Sequence, residues 1–287
     1  MEITTLIKRQ ILGIIKKFGY ELKGAKKIVK HNDFDSIISF LLNKKDKEKH
    51  IYFDVGANLG QSLKRLKKLN PSSVIHSFEP TPELYKKLIE NFGNDKNIKI
   101  NNLGVAQSKG NLDFYSYKHH KINSLIPVDK KTKFSKSRII ASGSKNSEFE
   151  SVIKIDVTSI DSYCEENNIK EIDFIKIDTQ GSETDVLNGM KKFIENQKVS
   201  IIELELILGF GYEKKFSFYD YEKILNNKDY KLIALDNSGN IISYSNFQTN
   251  LLYVKKDIFK NIEKMHEENV NIEGITNKTD ESHPFSY

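Results

Sequence analysis

A single cysteine, Cys164, in a chain of 287 residues excludes a disulfide framework and a cysteine-only metal cluster. Long apolar runs are missing as well. The most apolar stretch, Ile201 to Leu208, is interrupted by Glu203 and Glu205, and no run of 18 apolar residues exists. A membrane-spanning helix is thereby excluded. Met1-Glu2-Ile3-Thr4 shows no cleavable signal pattern, so the expected compartment is the cytoplasm. An acidic balance is also absent: 45 Lys and Arg against 39 Asp and Glu leave a net charge of +6. The excess sits in Lys16-Lys17, Lys26-Lys27, Lys44-Lys45 and Lys130 to Lys136, and scattered lysine reads first as a solvated face. Attraction to nucleic acid, an anionic membrane or an acidic glycan is the alternative. With 38% hydrophobic and 29% charged residues, the chain has the make-up of a globular protein with one large domain and additions.

Two familiar phosphate-binding signatures are lacking. No G-x-G-x-x-G fingerprint is present, and Gly60-Gln61-Ser62 has no lysine of the P-loop kind. What stands there instead is Asp54-Val55-Gly56-Ala57-Asn58-Leu59-Gly60, between the apolar strand Ile51-Tyr52-Phe53 and a helical pattern from Gln61 to Leu69. About 25 residues after Asp54, a second strand, Val74 to Phe78, ends in Glu79. In a doubly wound sheet these two strand ends face one crevice, where glycine lets backbone approach a ligand and a carboxylate grips a ribose diol. Asp54 would repel a phosphate but suits the cationic amino end of a methionine moiety. The pattern therefore points to S-adenosylmethionine, which has a ribose and a cationic amino-acid end and no phosphate. An ordinary strand–turn–helix is the bland alternative.

Three parts follow along the chain. Residues 1–49 carry helical periodicity, with Leu6, Ile7, Ile11, Ile14, Ile15 and Phe18 on one face and lysines opposite. This reads as a helical extension packed on the main domain. A basic amphipathic helix resting on the inner face of a membrane is its alternative. Residues 50–260 alternate strands and helices, which predicts an α/β fold with a mostly parallel sheet and helices on both faces. Strands are expected at Ile98 to Leu103, Leu112 to Tyr117, Phe174 to Ile177, Val199 to Leu206, Lys231 to Leu235 and Leu251 to Val254. Thr81-Pro82-Glu83 is expected to cap and open a helix through Ile89. Residues 118–150 dissolve into Lys, Ser, Asn and Gly, a loop long enough to serve as a substrate lid. Residues 261–287 read as a polar tail.

A second segment carries chemistry: Ile172-Asp173-Phe174-Ile175-Lys176-Ile177-Asp178-Thr179-Gln180-Gly181-Ser182-Glu183. Asp178 falls at the carboxyl end of a strand, where ligands bind in open α/β sheets. Gln180 sits where substrate would approach the cofactor. Glu183 lies in the first turn of the next helix, where the plain role is a dipole partner. In the following strand Glu203 and Glu205 share a face, Glu205 nearer the carboxyl end, and one of them is free to face solvent.

Phe53 to Gly60, Phe78-Glu79-Pro80, Asn123-Ser124-Leu125, Val157-Thr158-Ser159-Ile160-Asp161 and the Ile172–Glu183 block together resemble the FkbM-type methyltransferase family, in order over roughly residues 50–255. The resemblance implies a class I S-adenosylmethionine-dependent fold, Rossmann-like, with a seven-stranded sheet whose last strand is antiparallel. It implies O-methylation of a sugar hydroxyl in a surface glycan or glycolipid, or of a secondary metabolite. Carried over by position, Asp54, Gly56, Asn58 and Gly60 would hold the methionine end and Glu79 the ribose. Asn102, Gly104 and Val105, after the third strand, would border the adenine. Ser124, Gln180 and Glu205 would meet the carbohydrate acceptor.

A sugar hydroxyl needs a base to become a nucleophile, and Asp178 is the first candidate, for that role or for orienting a histidine that fills it, with His119, His120 and His76 as fallbacks. Neighbouring side chains of an extended segment point to opposite faces, so His119 and His120 would not easily serve one site. No metal ligand is assigned; a divalent ion bridging Asp178 and Glu205 is the less favoured reading. Among rivals, amino-methylation of DNA bases would call for a Pro-Pro-aromatic motif, and the five prolines form no pair. Base C5-methylation would need a Pro-Cys nucleophile, yet Cys164 follows Tyr163. An RNA ribose 2′-O-methyltransferase and a non-catalytic cofactor-binding scaffold remain as the other readings.

Overall fold

The computed structural model describes residues 34–42, 47, 49–129, 149–208, 212–214, 217–235 and 247–272. The N-terminal periodic segment through Phe18, the lysine run 130–136 and residues 273–287 lie outside the described residues.

In chain order the elements are α1 (Phe34–Leu42), β1 (Ile51–Val55), α2 (Gln61–Leu69), β2 (Val74–Phe78), α3 (Pro82–Phe92), β3 (Ile98–Asn101), β4 (Gly104–Val105), β5 (Gly110–Tyr117), β6 (Phe149–Thr158), α4 (Ile160–Glu166), β7 (Ile172–Ile177), α5 (Glu183–Asn188), α6 (Lys191–Glu195), β8 (Val199–Leu208), α7 (Phe218–Leu225), β9 (Lys231–Leu235), β10 (Phe247–Val254) and α8 (Lys256–Ile272). Seven strands form the main sheet in the order β3-β2-β1-β7-β8-β10-β9. Strands β3, β2, β1, β7 and β8 pair in parallel, while β10 runs antiparallel to both β8 and β9. This is the class I methyltransferase topology, a Rossmann-like sheet with its final strand reversed. The strand order turns back between β1 and β7, which places the ligand crevice at their carboxyl ends.

Central parallel strands are covered on both faces, so both of their side-chain sets are apolar. One face of β1, β7 and β8 carries Phe53, Val55, Ile175, Ile177, Ile202 and Leu204 against α4, α5 and α7. The opposite face carries Tyr52, Phe174 and Ile201 against α2, α3 and residues Ile38, Leu41 and Leu42 of α1. Ile258, Phe259 and Ile262 of α8 close the same core. The boundary drawn at 260/261 thus falls inside a helix, because that apolar stripe continues past it.

Two further expectations need correction. The third strand stops at Asn101, and a separate short β4 pairs with β6 in a second sheet of order β4-β6-β5. Alternation of apolar and polar residues through Ile153-Lys154-Ile155-Asp156-Val157 is the signal for β6, whose start lies within the range read as loop. Thr81 is the N-cap of α3, but its side chain makes no capping bond; its carbonyl accepts from Tyr85 N–H instead.

Candidate active site

The β1–α2 loop is a backbone crossing point. Gly56 has φ +90°, and a Cβ there would lie 1.9 Å from the Asp178 carbonyl oxygen, so only glycine lets the ends of β1 and β7 touch. Gly56 and Ala57 N–H both donate to Phe78 O, at 3.1 and 3.0 Å. Asn58, itself at φ +52°, donates its N–H to Glu79 Oε2 at 2.9 Å, and Thr81 N–H donates to Glu79 Oε1 at 2.9 Å. Glu79 is therefore turned toward the bend. Its burial pushes the carboxyl pKa upward against these hydrogen bonds.

Below the loop, the register sets Asp54, Lys176 and Glu203 side by side across three central strands. Lysine and glutamate are rarely buried unless paired, and here each has a partner. Lys176 Nζ reaches Asp178 Oδ2 at 2.8 Å, while Arg65 from α2 takes Glu203 in a two-bond fork, both bonds 2.8 Å. Glu203 is buried, so neither it nor Glu205 faces solvent. Asp54 accepts Ser62 Oγ–H at 2.7 Å through Oδ2, but its buried Oδ1 has no partner. Full burial raises its pKa to about 6.

Asp178 is held as a fixed anion. Burial alone would raise its pKa, but the Lys176 ammonium and hydrogen bonds from Glu205, Lys176 and Gln180 reverse this and bring it down to about 2. A carboxylate so weakly basic is a poor proton acceptor. Gln180 Nε2 bridges Asp178 Oδ1 at 2.9 Å and Glu205 Oε2 at 2.7 Å, and Tyr212 O–H donates to its Oε1 at 3.0 Å. Glu205, buried and beside Asp178 and Glu183, has its pKa raised well above the usual range. Glu183 does more than meet a helix dipole. Its buried carboxyl accepts Thr179 N–H at 3.0 Å and Gly181 N–H at 3.0 Å, fixing the turn after β7. Burial lifts its pKa to about 7.

Together these groups border a cavity of about 660 Å³. Gly56, Asn58, Glu79, Gly104, Val105, Asp178, Gln180, Glu205 and His120 all line it. Five other assignments do not hold as wall residues. Asp54 lies beneath the loop rather than on the wall. Gly60, at φ +85°, owes its identity to α3, since a Cβ would meet Phe92 at 2.4 Å. Asn102 braces from behind, its amide donating to the carbonyls of Glu79 and Pro80 at 3.0 and 2.9 Å. Ser124 is buried and accepts Ile126 N–H at 3.0 Å, leaving its neighbours Asn123 and Leu125 on the wall. His119 does not border the cavity, whereas His120 does, with a buried Nδ1 that has no partner. Burial, with His119, Lys121 and Lys87 contributing, lowers the His120 pKa and so favours the neutral ring. His76 is remote: it lies under Tyr163 on the opposite face of the sheet, with Nδ1 2.9 Å from the phenol oxygen. Arg65 and Lys176 are residues that the sequence pattern leaves without a role, and Glu183 has there only that of a helix-dipole partner. A lysine inside an otherwise apolar central strand was the available signal for one of them.

Residues 54–232 match the methyltransferase FkbM domain family. The 2-O-methyltransferase NoeI of Sinorhizobium fredii is 24% identical over 155 residues, covering 51% of this chain and 60% of that protein. The hexuronic acid methyltransferase AglP of Haloferax volcanii is 24% identical over 165 residues, or 57% of this chain and 59% of the relative. Methyltransferase sdnD of Sordaria araneosa is 27% identical over 152 residues, or 48% and 59% respectively. The matches span about three fifths of the length of these relatives.

Proposed function

We propose that this chain, which belongs to the FkbM methyltransferase domain family, is an S-adenosylmethionine-dependent O-methyltransferase acting on a sugar hydroxyl. The observation that carries the reading is Glu79, a buried carboxylate at the tip of β2, bonded to Asn58 N–H beside the glycine crossing. The cavity fits the cofactor on its own terms. Each oxygen of Glu79 receives one backbone N–H and retains a lone pair for a ribose hydroxyl. Leu103, Gly104 and Val105 supply an apolar wall for a base. S-adenosylmethionine, when bound, supplies a methyl group on a sulfonium centre.

The protein's share is alignment and a proton acceptor. Holding two reactants in register is worth on the order of 7–11 kcal/mol. In this reading the turn Asp178–Glu183, pinned by Lys176, Gln180 and Glu183, holds the acceptor's side of the cavity rigid. His120 takes the hydroxyl proton, since it borders the cavity and burial lowers its pKa, which favours the neutral ring. Asp178 acts as the fixed anion that orients Gln180 rather than as the base. Similarity to a 2-O-methyltransferase and to a hexuronic acid methyltransferase supports a hydroxyl-bearing carbohydrate acceptor.

Isothermal titration with S-adenosylmethionine tests the first half. Binding should be seen, and Glu79→Gln should weaken it roughly 10–100-fold, the scale of a hydrogen bond to a charged group. No binding at millimolar cofactor would overturn the cofactor reading. Mass spectrometry of glycans from a deletion strain tests the second half. Loss of one methyl from one sugar is the expected result, whereas unchanged glycans with altered RNA methylation would move the acceptor to RNA ribose.

A further inference from the structure

Much of the charge around the cavity is paired. Arg65 is neutralised by Glu203 and Asp35, and Lys176 by Asp178. Among the described residues of the wall, the carboxylate Glu79 and the cation Lys121 have no oppositely charged partner. Lys121 follows His120 in a 3-10 turn and is exposed. Lys87, on the exposed side of α3, is likewise unpaired and near enough to bias His120 electrostatically. Lys121, on the wall, and Lys87, on α3, both act electrostatically on His120.

Such an arrangement is unfavourable for a cavity that receives only a sulfonium cofactor, because like charges repel across a low-dielectric wall. It becomes favourable when the second reactant is an anion. We propose that the acceptor is an acidic sugar, bearing a carboxylate or a phosphate, whose anionic group is received by Lys121 with Lys87 in support while a hydroxyl faces His120. This rests on the methyltransferase reading of the same cavity and narrows its substrate class. Lysine suits the task as a compact point charge that tolerates either anion geometry.

The test uses the full chain saturated with S-adenosylhomocysteine, titrated in turn with D-glucuronate, D-glucose 6-phosphate and D-glucose and followed by ligand-observed NMR. At least one acidic sugar should bind roughly tenfold tighter than glucose, the scale of one partly shielded ion pair. Added salt should erode the preference, Lys121→Glu should abolish it, and Lys121→Arg should keep most of it. Glucuronate ahead of the phosphate assigns a carboxylate acceptor, and the reverse order a phosphorylated one. Equal binding of all three, no binding of any, or a preference untouched in Lys121→Glu overturns the proposal. So does an RNA oligonucleotide that binds while both acidic sugars do not. If S-adenosylhomocysteine itself fails to bind, the cofactor reading falls and takes this proposal with it, an outcome separate from loss of the sugar preference alone.

Discussion

Acid should loosen this protein through His76. The ring is buried on β2, tilted against Phe53 at 5.2 Å and hydrogen-bonded to Tyr163. Burial, aided by Lys99, lowers its pKa from 6.5 to about 4. Because the folded value lies below the unfolded one, the unfolded chain takes up the proton first. Stability is therefore unaffected above about pH 6.5, declines as pH falls toward 4, and levels off below that. At ~1.4 kcal/mol per pH unit, the gap amounts to about 3 kcal/mol, a large share of a typical domain's stability. Other buried groups also titrate. Asp54 and Glu183 have raised values, so their protonation favours the folded state, and Asp178 loses its contribution only in stronger acid. These terms are common to wild type and His76→Gln and cancel in the difference. Urea unfolding of both proteins at about pH 7, 5.5 and 4.5 should show wild type losing roughly 2–3 kcal/mol more than the variant across the series. Parallel curves for the two proteins would refute the assignment.

Three other outcomes follow from the geometry. Gly56→Ala should lower stability by at least ~2 kcal/mol and remove S-adenosylmethionine binding, because the new methyl meets the Asp178 carbonyl at 1.9 Å; a thermal melt and a titration read both. Arg65→Leu should cost ~3–5 kcal/mol by stranding Glu203 in the interior, and Arg65→Leu with Glu203→Leu should recover most of that in urea titrations. His120→Ala should cut kcat ~10²–10⁴-fold without changing cofactor affinity; a loss under about threefold would place the base elsewhere.

Local chemistry made much of the site legible. Gly56, Asn58 and Glu79 were readable because a strand, a side-chain-poor bend and a second strand ending in acid are all short-range patterns, and the doubly wound topology then brings them together. Asp178 and Gln180 were legible for the same reason, as the end of a strand. Their roles were not. The weak basicity of Asp178 comes from Lys176 beneath it and from Glu205 on the next strand, a relation that exists only once β7 and β8 pair. His120 and His119 are adjacent in sequence, and only the folding of the segment after β5 decides which borders the cavity.

Most strands of the main sheet, the glycine bend and the carboxylate beyond it are set by the sequence alone, since each depends on neighbours within a few residues. Tertiary structure decided which polar groups are paired. Arg65 and Glu203 stand 138 positions apart, and Gly60 is glycine because of a ring on α3. Such choices are set by the exclusion of water from a packed interior, where a charge must find its partner wherever the chain brings one.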